Sequence, residues 1–464
     1  MGEGGPSVLT YELKKMPGLP LYEGLYRCIR EDILSGKLKE GEKLPSKRSL
    51  AQHLEVSKIT VETAYAQLLS EGYIRSQEKK GYFVEKVATR KAPAPRTETV
   101  EKDPLPADGT EGFPFSVWSR LQREVYLDYG EKLLRPLPNR GIPELRQAIA
   151  DHLAAFRDMT VDPANILIGA GTDFLYNLLI QLLGRDLCYG VEDPGYSKIR
   201  RIYRAGGVRC VHIPMDGKGV IPQALEGVDV LHISPSHHYP TGLITAPSRR
   251  QELLRWAEEK QGWIIEDDYD SEFRFHSQPV SAMQTMDPER VIYMNSFSKS
   301  LAPSIRISYL ILPEGLMAEF QRKLGFYSCT VPSFEQYTLA RFLSRGHFEK
   351  HINRMRRFYR GRRNRLLQMV KNAPVSRRLT ILEQDAGLHF LLRVDTRLPD
   401  SRLSAALEAQ EIRFPPLGSF YRDKKDDLHM LVVNYTALPE GTMEKALKIL
   451  EGLLEEENGE TVDS

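Results

Sequence analysis

Leu25, Cys28, Ile29, Ile33 and Leu34 recur three and four residues apart, which predicts an amphipathic helix that Gly36 stops. Ser46 is placed to cap a second helix with Leu50, Ala51 and Leu54 on its apolar face. After a tight "EVS" turn, Ser57 caps a third helix with Val61, Ala64, Leu68 and Leu69 inward. Two short helices joined so closely fit a helix-turn-helix. The pattern then alternates through "YIRSQEKKGYFVEK", with Lys79, Lys80 and Gly81 at its centre, as a β-hairpin wing does.

Periodicity breaks off after about Glu85. Residues 87–112 carry proline, alanine and charge but almost no large apolar side chains. Such a stretch buries too little surface to fold alone and reads as a flexible linker, spanning on the order of 25–30 Å. It separates a first domain, residues 12–86, from a second, residues 113–464.

The second domain alternates helical stretches with short apolar strands, an α/β pattern. Six strand regions can be placed: "NILIGAGTDF", "LCYGVEDPGYS", "VDVLHISPSHHYPTG", "GWIIEDDYDSEF", "RVIYMNSFSKS" and "IRISYLILP". Each brings polar or special residues to one end. In open α/β sheets the ligand lies beyond the carboxyl ends of the strands, so this convergence marks a site.

Composition narrows the choices. The chain has 464 residues, enough for two or three domains. Lys and Arg total 64 against 62 Asp and Glu, so any nucleic-acid contact must come from a local patch. Lys43, Lys47 and Arg48 form one such patch, beside the outward residues Lys58, Thr60 and Thr63 of the third helix. No apolar run is long enough to span a membrane, and the N-terminus lacks a secretory pattern. The four cysteines form no CxxC pair, and His237 and His238 have no third ligand at metal spacing, so no metal is expected. A reducing cytoplasm is the simplest setting.

The strand-end inventory suits a phosphorylated, aromatic, carbonyl-bearing ligand. Gly171, Thr172 and Asp173 open a helix, where free N–H groups favour a phosphate. Ser296 and Ser298 offer hydroxyls, and Arg306 offers a planar fork for the dianion. Asp267 can hold a pyridine nitrogen protonated, Tyr269 can donate to a ring oxygen, and Tyr196 can stack on the ring. Lys299 can form a Schiff base if its amine is held neutral.

These residues carry three resemblances. "LPSKRSLA" and "VSKITVETAYAQLLSEGY" resemble the winged-helix domain of GntR-type regulators. The resemblance implies binding to a double-stranded DNA operator through Ser46, Lys47, Arg48, Ser57, Lys58, Thr60, Thr63, Lys80 and Gly81. The stretch from Phe113 to Leu450 resembles fold-type I enzymes that use pyridoxal 5'-phosphate. That implies a mixed, mostly parallel sheet in an αβα sandwich with a small C-terminal α/β subdomain. It also implies Lys299 as the Schiff-base lysine, Asp267 on the ring nitrogen, Tyr269 on the ring oxygen and Tyr196 stacked. Gly171, Thr172, Asp173, Ser296, Ser298 and Arg306 would hold the phosphate. The combination resembles the MocR-type, GabR-like transcriptional regulators, which implies a head-to-tail homodimer.

Three positions depart from the pattern. Val432 falls where an arginine grips the substrate carboxylate, removing roughly 1.5–3 kcal/mol of binding. Tyr239 replaces the asparagine of the usual "NPTG" turn, and Pro136 stands where a tyrosine often reaches the partner's phosphate. The leading expectation is a regulator that senses an amino compound or pyridoxal phosphate itself, with Lys198 as a substitute cation. The rival is an active aminotransferase carrying a DNA-binding domain.

Overall fold

The computed structural model describes residues 9–11, 13, 20–87, 112–275, 280–383, 387–436 and 438–460. Position 12 and the expected linker, but for residues 87 and 112, lie outside the described residues. The chain divides into two compact units, Met1–Pro104 and Leu105–Ser464.

In the first unit, helices α1 (Leu21–Leu34), α2 (Lys47–His53) and α3 (Lys58–Ser70) precede strands β1 (Ile74–Gln77) and β2 (Gly81–Val84). The two strands pair antiparallel, with Gln77 opposite Gly81, and form the wing. Ser46 Oγ accepts the Ser49 N–H and Ser57 Oγ the Thr60 N–H, each over 3.1 Å, so both expected caps are made. Glu55 takes left-handed backbone in the turn between α2 and α3. The core gathers Leu25, Ile29, Ile33, Leu50, Val61, Ala64 and Leu68, as the periodicity predicts.

Cys28, Leu34, Leu54 and Leu69 stay half-buried at its rim. In place of Leu69 the core takes Tyr65, which lies on the Val61–Ala64–Leu68 face and is fully buried. Its hydroxyl donates to the Pro45 carbonyl over 2.9 Å, which satisfies the polar tip inside. Leu9 and Leu13 join the same core.

The second unit opens with α4 (Phe115–Tyr129) and α5 (Pro143–Arg157). There follow β3 (Ile166–Gly169), α6 (Thr172–Leu183), β4 (Cys188–Asp193), α7 (Ser197–Ala205), β5 (Arg209–Asp216), β6 (Gly219–Val220) and β7 (Val230–Ile233). Next come α8 (Pro247–Lys260), β8 (Trp263–Asp267), β9 (Val291–Ser296), the one-turn α9 (Phe297–Ser300), β10 (Ser308–Ile311) and α10 (Glu314–Leu324). Helices α11 (Ser333–Ser344) and α12 (His347–Asn372) lead to β11 (Leu379–Leu382), β12 (His389–Val394), α13 (Asp400–Glu408), β13 (Met430–Asn434) and α14 (Thr442–Glu460).

One sheet runs β3-β10-β9-β8-β7-β4-β5-β6. Its strands are parallel except β10 and the edge strand β6. Alternate residues of β3 feed two different cores. Ile166 and Ile168 pack with Leu145 and Phe342 of α5 and α11, and Leu167 with Leu175 and Phe320 of α6 and α10. The sheet is therefore covered by helices on both faces, an αβα sandwich. The antiparallel sheet β11-β12-β13, with α13 and α14, forms the small C-terminal subdomain.

All six strands read from the sequence are present. Within the large sheet, strands β5 and β6 are additional. β5 lies near the sheet edge with mostly half-exposed side chains and Pro214, so it lacks the apolar run that marked the others.

Candidate functional site

The antiparallel course of β10 builds the cradle. Ser308 pairs with Ser296 on one side and Gly169 on the other. Arg306, just before β10, is thereby brought to the edge where β3 and β9 end. Its backbone is left-handed, φ 51°, and its Nη2 lies 3.5 Å from the Ala170 carbonyl and 3.4 Å from Asp173 Oδ2. Gly171 has φ 88°, and a Cβ there would collide with the Arg306 guanidinium. Gly171 precedes α6, whose first residues are Thr172 and Asp173. Ser296 caps α9, accepting the Ser298 N–H over 3.1 Å, with the two hydroxyls 3.0 Å apart. Lys299 sits exposed on that single turn.

Asp267 ends β8, beside β9. It is buried; Tyr176 donates its hydroxyl to Oδ2 over 2.6 Å, and His232 Nε2 lies 3.5 Å from the same oxygen. Oδ1 is buried with no hydrogen-bond partner. A carboxylate oxygen out of water and unpaired calls for a donor, and a pyridinium N–H supplies one. This orphaned acceptor, the bare backbone of Gly171 and the neighbouring hydroxyls and guanidinium fit pyridoxal phosphate.

Tyr269, expected at the ring oxygen, has its hydroxyl 3.4 Å from His237 Nδ1. The same nitrogen lies 2.8 Å from Asp270 Oδ2, with both side chains 3% exposed. Tyr196, before α7, is about half exposed and meets Tyr239 edge-on at 5.9 Å between centroids. Tyr239 also stands edge-on to His389 and Phe420.

Several of the expected residues have close partners in this setting. Lys198, expected as a substitute cation, pairs with Asp173 over 2.8 Å because α7 faces the start of α6. Asp173 therefore touches Lys198 and Arg306 together. Val432 is 1% exposed on β13, opposite Leu391, in an apolar cluster with Leu417, Tyr239, Phe420 and Tyr421. The contacts of Tyr176, His232, Asp270 and His389 were not legible in the sequence. The usable signal was a tyrosine one turn into the helix after the glycine turn.

On the winged helix, Arg48, Lys58, Thr63 and Lys80 are exposed, and Thr60 is half-buried. Gly81 takes φ 114° at the wing turn. Lys47 differs from expectation. Its amine pairs with Glu62 over 2.8 Å and lies 5.4 Å from the Tyr82 ring centroid, since α2 packs against α3 beside the wing.

A DNA-binding winged helix joined to an aminotransferase-like effector domain defines a class of transcriptional regulator. Residues 106–450 match the aminotransferase class I and II family, and residues 21–84 match the gntR family of bacterial regulatory proteins. The chain is 37% identical over 429 residues to the HTH-type transcriptional regulator YdeL of Bacillus subtilis, covering 89% of this chain and 92% of YdeL. It is 32% identical to the probable rhizopine catabolism regulatory protein MocR of Rhizobium meliloti, with 86% and 87% covered. It is also 32% identical to the HTH-type pyridoxine biosynthesis transcriptional regulator PdxR of Corynebacterium glutamicum, with 85% and 87% covered. Its fold is similar to that of a multiple substrate aminotransferase from Thermococcus profundus, with a TM-score of 0.67 and 23% identity over 76% of this chain and 91% of that one. The chain belongs to the MocR-type regulators. Among the described residues no helix is long and apolar enough to cross a membrane.

Proposed function

We propose that this regulator reads the occupancy of its aminotransferase-like site by pyridoxal phosphate and does not turn over amino acids. The observation that carries the reading is a contrast. Asp267 Oδ1 is buried without a donor beside a cradle suited to a phosphate, while the expected carboxylate-binding position is Val432, sealed in an apolar cluster. The bound cofactor would supply an aldehyde for one amine and an electron-withdrawing ring. Lys299 holds it covalently, Asp267 accepts the ring N–H, Tyr269 faces the ring oxygen and Tyr196 covers the ring. Gly171, Thr172, Ser296, Ser298 and Arg306 hold the phosphate, with Asp173 orienting Arg306 and Lys198.

Ligand binding shifts the protein only through unequal affinity for two arrangements. In this reading those arrangements set the spacing of two winged helices in a head-to-tail homodimer in the cytoplasm. The domains are residues 12–86 and 113–464, joined by the linker 87–112. Ser46, Ser57 and Gly81 shape the DNA-facing surface. Arg48, Lys58 and Lys80 neutralise phosphates, and Lys47, Thr60 and Thr63 flank them.

The test combines borohydride reduction, peptide mapping and DNA mobility. Pyridoxal phosphate should label Lys299 alone and change the mobility of the operator complex, and candidate amines with a keto acid should give no sustained turnover. Label elsewhere, or DNA affinity indifferent to the cofactor, would overturn the reading. Sustained turnover would favour the aminotransferase alternative.

A further inference from the structure

We propose that Ile59, at the start of α3, is a specificity-determining residue of the winged helix and reads the 5-methyl group of a thymine in the major groove. Positions 59, 62, 63 and 66 are all exposed and lie three, four and seven residues apart, so they form one outward stripe of α3. Ile59 is 73% exposed, although the core of this unit is close at hand. One exposed isoleucine means little alone. Its polar neighbours give it meaning.

The Thr63 hydroxyl donates to the Ile59 carbonyl over 2.9 Å. The Ser57 and Thr60 hydroxyls bond each other over 2.8 Å, and Ser57 Oγ also accepts the Thr60 N–H. Glu62 is held by Lys47. The Thr60 and Thr63 hydroxyls and the Glu62 carboxylate thus each have a partner within the domain. Besides the Glu62 carboxylate, which Lys47 holds, the stripe turns outward Ile59, Thr63 and Ala66, and Ile59 is its large apolar side chain. Lys58 and Arg48, both exposed, supply charge for the flanking phosphates.

The N-terminal residues of a recognition helix are the ones that meet base edges. In the major groove, thymine presents a methyl group where the other bases present polar atoms or hydrogen. An apolar side chain there gains by burying that methyl and leaves no polar group unpaired. The favoured partner is duplex DNA with a thymine at a fixed place in each half-site.

The experiment uses the full chain loaded with pyridoxal phosphate. Selection from random duplexes supplies the probe, which is also made with deoxyuridine replacing each thymine in turn. That exchange removes only the 5-methyl group. One thymine per half-site should prove sensitive, with affinity falling about five- to twentyfold on its replacement. Ile59→Ala alters both half-sites, so it should lose about the product of the two single losses on the thymine probe and be indifferent to either exchange, the exchange adding nothing to the variant's loss. Lys58→Ala should instead weaken both probes equally and lower the salt slope by about two, one for each half-site.

Thermal unfolding of Ile59→Ala should match the parent, since the side chain is exposed. The proposal is overturned if Ile59→Ala binds as the parent does, if the exchange weakens the variant further, or if the selected duplexes share no thymine. Failure to enrich any duplex would overturn it together with the DNA-binding reading, leaving the cofactor reading intact.

Discussion

Tyr176 donates its hydroxyl to Asp267 Oδ2 over 2.6 Å, and the other oxygen of that carboxylate is buried and unpaired. The pair comes from two elements, α6 and the end of β8. Tyr176 fixes which way the carboxylate faces and leaves one acceptor for a ligand. Tyr176→Phe should keep the fold and weaken pyridoxal phosphate by about tenfold or more, the scale of a hydrogen bond to a charged group. Asp267→Ala should weaken it further. Spectral titration with the cofactor measures both, and a Tyr176→Phe affinity equal to the parent's would remove the tyrosine from the site.

Gly171 can be tested by one methyl group. Its φ of 88° strains any L side chain, and the new Cβ would strike the Arg306 guanidinium. Gly171→Ala should weaken the cofactor about tenfold or more by displacing that fork. Inorganic phosphate should protect the parent from thermal unfolding and protect the variant less.

Position 432 looks like an invitation to restore an enzyme. The surroundings argue otherwise, because Val432 is 1% exposed among Leu391, Leu417 and aromatic side chains. Val432→Arg places an unpaired charge there and should cost about 3–5 kcal/mol of stability. Denaturant unfolding should show that loss, and amino-acid turnover should not appear.

Stability should fall as pH rises from about 6.5 to 8. Burial pushes the Glu192 carboxyl up to about 8, against the Ser234 N–H and with help from the Asp267 anion. Burial lifts Glu266 to about 7, with help from Asp268. A carboxyl raised on folding holds its proton in the native state after the unfolded chain has released it. Its stabilisation is full below the unfolded value, near 4.5, and is lost as pH rises through the folded one. His238 works the other way, since burial pushes it down to about 3. Its contribution is complete once pH passes about 6.5. Between about pH 6.5 and 8 the carboxyls dominate. Glu192→Gln should flatten the fall there by about 1–2 kcal/mol in urea unfolding at the two pH values.

What the sequence disclosed was local. Ser46 and Ser57 cap their helices because the donors they serve lie three residues on. The strand ends were legible because apolar runs stop abruptly at Gly169, Asp267 and Ser296. Partnerships between distant residues were not. Lys47 and Lys198 read as free cations, yet each meets a carboxylate 15 and 25 residues away. Tyr176 lies 91 residues from Asp267, and nothing in its neighbourhood announces that bond. His237 read only as a histidine with no third metal ligand at the right spacing. Its partner Asp270 lies 33 residues on, in a fold where a Cβ on Gly387 would collide with its ring.

Strand β10 runs against its neighbours, so Gly169, Ser296 and Ser308 line up across one ladder. The groups proposed to face the phosphate are consequently mounted on a stiff rack, whereas residue 432 belongs to a separate three-stranded sheet. Evolution can exchange what grips the far end of a guest without retooling the rack. A lineage can thereby keep its coenzyme and change the message it answers to.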